Sequence, residues 1–320
     1  MRRSKSSQAT ATQISSQFQV RRATGRGLRM PHLFALLIGS IIGVGWITAS
    51  GSWIADAGPV GAILAFSGGA ALMTIIGLCY AEVMAMLPQA AGAVGYSLIA
   101  FGPRVAFWSG WLLLASYIVS CAFFAVTLAW LLDTLAPSNA GVVVYEAFGV
   151  KQHLHEILAM TTVTLLLAYA NQLGAELSGT MQVVVVGMKL SLAILLASAA
   201  ATAGSLSHLE PLITGSSSLD SATAVIGVMV GTPFWFAGFD VLPQAVRECS
   251  PEMNLSGLGK LIVLTTSAAL AFYVMIILSA SSLVSRQLLL SFQLPTYDAF
   301  QAAFGTCYLP RAVLMLGFVG

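Results

Sequence analysis

The feature that most constrains this chain is a series of apolar runs of about twenty residues, separated by short polar segments. One helical crossing of a bilayer needs about 20 mostly apolar residues. The sequence contains seven such runs, at residues 33–54, 61–87, 105–135, 157–172, 180–201, 225–246 and 258–284. An eighth begins at Arg311 and reaches the last residue, Gly320, before it is long enough to cross, so we expect a fragment. The chain is therefore predicted to be an all-α, multi-pass membrane protein.

The composition excludes other classes of protein. Of the 320 residues, 58% are hydrophobic and 8% are charged, and the mean hydropathy is +0.88, whereas about a quarter of the residues in soluble domains are charged. A net charge of +2 and four cysteines without a CxxC pair argue against nucleic-acid partners, disulfide scaffolds and metal sites. His153 and His155 beside Glu156 are read as a solvated loop, because i, i+2 spacing on a helix points two rings apart.

Basic residues are concentrated ahead of the first span. Seven of the fourteen Lys and Arg residues lie within residues 1–30, and cytoplasmic loops carry such an excess. If the N-terminus is cytoplasmic, three more basic residues lie on the cytoplasmic side of the membrane (Arg104, Arg247 and Lys260). Three others lie on the opposite side (Lys151, Arg286 and Arg311). We predict a disordered cytoplasmic tail over 1–30 and a transmembrane domain over 31–320 in the plasma membrane. Because the tail lacks acidic residues, an organelle transit peptide, and so an organelle membrane, is the alternative.

Two of the apolar runs are interrupted. The first span has Gly39, Gly43 and Gly45 at its centre, and each glycine disfavours helix by about 1 kcal/mol relative to alanine. The sixth span contains Pro233, which removes a backbone donor, and the acidic Asp240. Both helices are predicted to unwind near the middle of the membrane.

Unwound backbone inside a bilayer is tolerated only where it is buried in protein or lines a cavity, so these interruptions indicate a binding site. Freed N–H groups at the start of a half-helix suit a carboxylate, and freed carbonyls suit an ammonium group. Together they suit a zwitterionic amino acid. The alternative is close helix packing at Gly39 and Gly43. Interruptions in spans one and six, corresponding positions of two five-span halves, favour an inverted-repeat transporter.

The same motifs resemble those of the amino acid-polyamine-organocation permeases. The resemblance rests on GSIIGVG at 39–45, on FWFAGFD at 234–240 with Glu248 and Pro251, and on Tyr80 to Glu82 with Pro88. It implies a leucine-transporter-like fold of two inverted five-helix repeats. Residues 31–203 would form the first repeat and residues 224–320 part of the second.

The resemblance also implies site residues. The substrate carboxylate would meet the first-span interruption at Gly43, Val44 and Gly45, edged by Ser40 and Ile41. The ammonium group would meet the sixth-span interruption at Phe234, Ala237 and Gly238.

Three residues are candidates for gating. Phe234 matches an aromatic gate over the substrate, and Glu82 either forms an inner-gate salt bridge or is a solvated helix end. Three roles are open for Asp240: it binds a cationic substrate, it responds to pH, or it caps the second half of the broken helix. Tyr117 is expected to be a belt or packing residue rather than a ligand.

Lys189 is the single basic residue at the centre of a span, tenth of the twenty-two residues of the fifth. An ammonium group at that depth costs at least about 3 kcal/mol and is a functional candidate. In the resembling permeases a lysine in this segment replaces a sodium ion. We predict that Lys189, by gaining and losing a proton, couples transport to the proton gradient or stabilises one conformation of the first-span interruption; the alternative is a permanently charged structural strut.

The predicted function is sodium-independent secondary transport of amino acids by alternating access, coupled to protons or working by exchange. A polyamine or organocation antiporter and a non-transporting amino acid sensor are the alternatives. No cofactor and no catalytic residues are expected, so the protein is not predicted to be an enzyme. The expected partners are an amino acid or amine, protons and membrane lipid. Residues 136–156 contain no cysteine, so no disulfide-linked heavy chain is expected.

Overall fold

The computed structural model describes residues 27–87, 90, 92–135, 142–147, 150–172, 175–245, 248–249, 257–305 and 307–318. The first seven helices, in chain order, are α1 (Met30–Ile41), α2 (Trp46–Ala57), α3 (Pro59–Met86), α4 (Gly92–Phe101), α5 (Pro103–Leu135), α6 (Leu154–Gln172) and α7 (Ala175–Ala203). A 3-10 turn, Leu206–Leu209, follows. The remaining helices are α8 (Ser218–Trp235), α9 (Val241–Ala245), α10 (Leu258–Leu283), α11 (Arg286–Ser291), α12 (Pro295–Phe304) and α13 (Tyr308–Phe318).

Every predicted span contains helix. Within the described residues, four helices are long and apolar enough to cross a membrane: α3, α5, α7 and α10. The pair α1 and α2 becomes a fifth crossing if it is counted as one bent span. Helices α6 and α8 occupy the fourth and sixth predicted spans, and the count of seven crossings stays a prediction.

The segment between the third and fourth spans differs from the expected loop. It contains strands β1 (Val143–Ala147) and β2 (Val150–His153), which pair antiparallel. The run of valines ahead of Tyr145 explains this difference, since β-branched and aromatic side chains favour extended backbone. This hairpin is a local addition to an otherwise helical membrane fold.

The core lies where the interrupted spans meet the second, fifth and seventh spans. Of an 18-residue apolar stretch of α10, 50% is buried inside the protein. The corresponding stretch of α5 is only 6% buried. Large side chains such as Trp46, Phe66 and Phe272 fill this core. The seventh span therefore packs inside the protein against both interruptions. The third span, which is mostly exposed, packs against them from one side.

The end of the predicted N-terminal tail contacts the fold. Leu28 is buried, and its N–H donates to the carbonyl of Glu248 at 2.9 Å. Residues 1–26 lie outside the described residues.

Candidate functional site

The first span is interrupted where the glycines predict. Helix α1 ends at Ile41, α2 begins at Trp46, and the two are bent by 59°. Within the described chain, the N–H groups of Gly43, Val44 and Gly45 donate no hydrogen bond. They lie at the N-terminus of α2, where unpaired N–H groups and the helix dipole attract negative charge.

The sixth span is interrupted between α8 and α9, over residues 236–240. Gly238 has a φ of +130°, which side-chain-bearing residues rarely adopt. A Cβ atom at Gly238 would lie 2.7 Å from Cβ of Ser40, so the two interruptions cross at these residues. The sequence predicted both as site residues but not their contact.

The carbonyl groups of the sixth-span interruption differ in availability. Within the described residues, the Ala237 carbonyl accepts no hydrogen bond, whereas the Phe234 carbonyl accepts from the Phe236 N–H and, at 3.4 Å, from the Ala237 N–H. The Ser40 hydroxyl donates to the Leu36 carbonyl of its own helix at 2.8 Å. The Ala237 carbonyl is thus the more available acceptor for an ammonium group.

Lys189 reaches the first interruption from the fifth span. Its side chain is 1% exposed, and its Nζ donates to the Ile42 carbonyl at 2.5 Å. No carboxylate in the described part of the chain lies within 4.0 Å of this amine. A backbone carbonyl is therefore the polar partner that the structure gives to a charge near the middle of the membrane, and a role in coupling stays a prediction.

Tyr273 of the seventh span was missed by sequence reasoning. Its buried hydroxyl lies 3.1 Å from the Ile41 carbonyl and 2.8 Å from the Trp235 carbonyl. A tyrosine in an apolar run carries no signal of such a role, because its two partners lie 232 and 38 residues away along the chain.

Four aromatic side chains, Phe123, Phe124, Phe234 and Trp235, form an aromatic wall beside the first interruption. Phe234 is half exposed, and its ring centroid lies 5.8 Å from that of Phe123 in the third span. Added Cβ atoms would clash with this wall, at 2.8 Å from Phe124 for Gly43 and at 2.5 Å from Trp235 for Gly45. Glycine at both positions therefore lets the aromatic side chains approach the unwound backbone. Sequence reasoning predicted only Phe234, since the other rings look like ordinary packing residues.

Asp240 forms a polar cluster with the third span. The Tyr117 hydroxyl donates to Oδ2 of Asp240 at 2.6 Å, and Nε2 of Gln244 donates to the Tyr117 hydroxyl at 2.6 Å. Sequence reasoning took Tyr117 for a belt or packing residue and did not predict this contact: a carboxylate inside a span needs donors, and the tyrosine supplies one. No basic group of the described residues lies within 4.0 Å of this carboxylate.

Glu82 lies apart from these groups. It is exposed near the end of α3 and forms no ion pair among the described residues. Pro88, Arg247 and Pro251, which belong to the same motifs, lie outside the described residues. A gating role for Glu82 stays a prediction.

The histidine pair behaves differently from the expectation. The ring centroids of His153 and His155 are 5.6 Å apart, because His153 ends β2 while His155 belongs to α6, so helical spacing does not apply. Nδ1 of His153 lies 3.5 Å from the Glu156 carboxylate. Within the described residues, no group of three or more His, Cys, Asp or Glu side chains is placed to hold a metal ion.

Comparison with known proteins adds independent evidence. The family model described as amino acid permease matches residues 28–319. Among curated relatives, the amino-acid permease RocC of Bacillus subtilis is 37% identical over 87 residues, which is 27% of this chain and 18% of RocC. RocE of the same organism is 32% identical over 97 residues, 30% of this chain and 21% of RocE.

A plant relative shows similar identity. The mitochondrial cationic amino acid transporter 3 of Arabidopsis thaliana is 32% identical over 94 residues, 29% of this chain and 15% of that protein. The matched segments thus span about a fifth or less of these relatives. The family match, in contrast, runs from the start of the first span to the end of α13, and the permeases that it describes are not enzymes. The chain therefore belongs to the amino acid permease family, within the amino acid-polyamine-organocation superfamily.

Proposed function

We propose that the protein is a sodium-independent secondary transporter of amino acids, working by alternating access around its two interrupted helices. The observation that carries this proposal is the crossing of the interruptions at Ser40 and Gly238, beside three unpaired N–H groups at residues 43–45. The substrate carboxylate would bind these N–H groups. Its ammonium group would bind the Ala237 carbonyl, with the Phe234 carbonyl as a second acceptor if its weak contacts to the Phe236 and Ala237 N–H groups give way.

The surroundings of this backbone site support the proposal. Phe234, half exposed beside Phe123, would cover a bound substrate. The relatives named as amino-acid permeases support amino acids as the substrate class. A site built from backbone groups recognises what all amino acids share, so the aromatic wall and the spans around it would select side chains.

Lys189 supplies the proposed coupling. When protonated, its amine holds the Ile42 carbonyl, which the interruption has freed from its helix. A neutral amine is a weaker donor to this carbonyl, so loss of the proton would release α1 to rearrange. Protonation would in this way favour one conformation of the first-span interruption.

The first experiment measures uptake of a labelled amino acid mixture by proteoliposomes that carry the full-length protein, with an imposed pH gradient and no sodium. Accumulation that collapses with the gradient is the expected result. Saturable binding without accumulation would instead indicate an amino acid sensor. Uptake only into vesicles preloaded with substrate would indicate an exchanger. Uptake that requires sodium would contradict the proposal.

Asp240 favours a second candidate, transport of cationic amino acids or other organic cations. Its carboxylate accepts from Tyr117, yet no basic group of the described residues neutralises it. A carboxylate within a span needs a counter-charge or a proton, and a cationic substrate side chain would supply the charge. The relative named as a cationic amino acid transporter is consistent with this chemistry.

Replacement of one carboxylate oxygen separates the two candidates. For a cationic substrate, Asp240→Asn should raise the apparent Kd for arginine and lysine about tenfold, because a charge-assisted hydrogen bond is lost, and leave leucine unchanged. Asp56→Asn, at an exposed acid near the end of α2, is the control. Equal weakening of all three substrates would contradict the cationic candidate.

A further inference from the structure

Tyr273 lies between the two interrupted helices. Its hydroxyl is 2.8 Å from the carbonyl of Trp235, the last residue of α8. It is also 3.1 Å from the carbonyl of Ile41, the last residue of α1. One buried side chain of the seventh span thus contacts the point at which each interruption begins.

These two carbonyls have lost their helical partners. In a continuous helix, Ile41 would accept from the N–H of Gly45, and Trp235 from the N–H of Phe239, four residues further on. Neither bond forms. A buried carbonyl without a donor carries a free-energy penalty. The Tyr273 hydroxyl, with one proton to share, is the donor that the described residues offer to both.

The ring of Tyr273 is fixed on several sides. Its centroid lies 4.9 Å from that of Phe66, 5.5 Å from that of Phe236 and 5.8 Å from that of Trp53. These rings come from the second span, the sixth-span interruption and α2. The hydroxyl therefore has little freedom to follow one carbonyl away from the other.

We propose that Tyr273 is a positioning residue. Its hydroxyl ties the two interruptions together at Ile41 and Trp235, the last helical residue before each of them. The tie fixes the spacing between the N–H groups of residues 43–45 and the carbonyls near Ala237. Lys189 differs, because its amine reaches only the first interruption, at Ile42. The effect of the tie on substrate rests on the proposed function, whereas the tie itself does not.

Hydrogen exchange of the purified full-length protein, without substrate, tests the tie directly. In Tyr273→Phe, amides at both 38–48 and 232–242 should exchange about tenfold faster, since local opening no longer breaks the shared hydrogen bond. Exchange elsewhere in the seventh span should not change. Acceleration at one interruption only, at neither, or evenly throughout the protein would overturn the proposal.

Thr265→Val provides a matched control on the same helix. It also removes a buried hydroxyl, but Thr265 donates only to the Leu261 and Ile262 carbonyls of its own helix. Exchange at the two interruptions should therefore stay at the wild-type rate. Acceleration there equal to that in Tyr273→Phe would mean that any lost hydroxyl of α10 has this effect, and would overturn the tie.

Substrate affinity tests the second part of the inference. In Tyr273→Phe, the Kd of every transported amino acid should rise about fivefold and by the same factor, because the backbone site is common to all of them. A change in side-chain selectivity would contradict a role in spacing. Faster exchange at both interruptions with unchanged affinity would retain the tie and refute the placement of the substrate between them.

Discussion

At the scale of single residues, two ionisable groups within the spans are stabilised in different ways. Lys189 is buried and donates to a backbone carbonyl, while Asp240 accepts from Tyr117. Neither has an oppositely charged partner within 4.0 Å among the described residues. An ionisable group within a span that lacks such a partner is a candidate for a functional site.

Lys189→Met should remove the dependence of uptake on the pH gradient, because no titratable donor then holds the Ile42 carbonyl. Gradient-driven accumulation in proteoliposomes should fall at least about tenfold, while exchange between equal pools persists. Lys260→Met, at an exposed lysine in the first turn of α10, is the control and should leave both activities unchanged. Proton-dependent uptake that survives in Lys189→Met would contradict the coupling role.

Asp298 is placed to make stability depend on pH. Burial raises the pKa of this carboxyl above its ordinary value of 3.8, and the Leu294 N–H, which donates to it at 3.0 Å, opposes part of the rise. The residue therefore contributes stability at pH values below 3.8 that is lost as the pH rises through its raised pKa.

The corresponding measurement compares the Tm of wild type and Asp298→Asn in detergent at about pH 4 and about pH 7. Because asparagine stays neutral, the Tm of the variant relative to wild type should be higher at the upper pH. A Tm difference that does not change with pH would contradict this assignment.

At the scale of secondary structure, each interruption depends on close approach. Gly238 illustrates this, because it combines a positive φ with contact to Ser40. Glycine is therefore needed there for its backbone conformation and for its missing side chain. In contrast, a Cβ atom at Gly231, two turns earlier in the sixth span, would meet nothing within 4 Å.

Gly238→Ala should disrupt the site. The conformation costs about 1–2 kcal/mol for a residue with a side chain, and the clash with Ser40 costs about 1–3 kcal/mol more. Substrate binding should weaken at least about tenfold, as measured by scintillation proximity with a labelled amino acid. Gly231→Ala should bind normally, since alanine favours helix by about 1 kcal/mol. Normal substrate binding by Gly238→Ala would contradict this prediction, because it would show that the site does not need the close contact between Gly238 and Ser40.

At the scale of the whole molecule, the segment after the seventh span packs over α2, the second half of the first span. The Ser50 and Thr296 hydroxyls are 2.8 Å apart and buried, and the Arg286 guanidinium donates to the Ala55 carbonyl. Pro295 packs so closely that a Cβ atom at Gly51 would lie 2.6 Å from it. Helices α11 and α12 thus connect the second half of the fold to α2.

A double-mutant cycle measures this connection. Ser50→Ala and Thr296→Val should each lower the free energy of unfolding by about 1 kcal/mol, since each leaves a buried hydroxyl without its partner. The double variant should lose less than the sum of the two. Thermal unfolding followed by tryptophan fluorescence reports both effects. Strict additivity would mean that the hydroxyl pair contributes no coupling.

Much of the architecture was predictable from local patterns. The apolar runs predicted helices at every span, and Gly43, Gly45 and Pro233 predicted where two of them unwind, because these residues act on their own backbone. The charge of Lys189 at the centre of a run identified it as exceptional, since that cost depends only on depth in the membrane.

Other features depended on residues far apart in the chain. The donation of Tyr117 to Asp240 and the contact of Gly238 with Ser40 join residues 123 and 198 positions apart. The hairpin ahead of α6 was also missed, because its strands are only five and four residues long and lie among loop residues.

The sequence by itself therefore determined the membrane class of the protein, the positions of its apolar helices and the places where two of them are interrupted. Those properties follow from hydrophobic length and backbone preference, which act within one segment. Only the tertiary structure decided which groups satisfy the freed backbone, such as Tyr273 at Ile41 and Trp235 and Lys189 at Ile42. A hydrogen bond needs its donor and acceptor within about 3 Å, and packing of the spans against one another sets that distance.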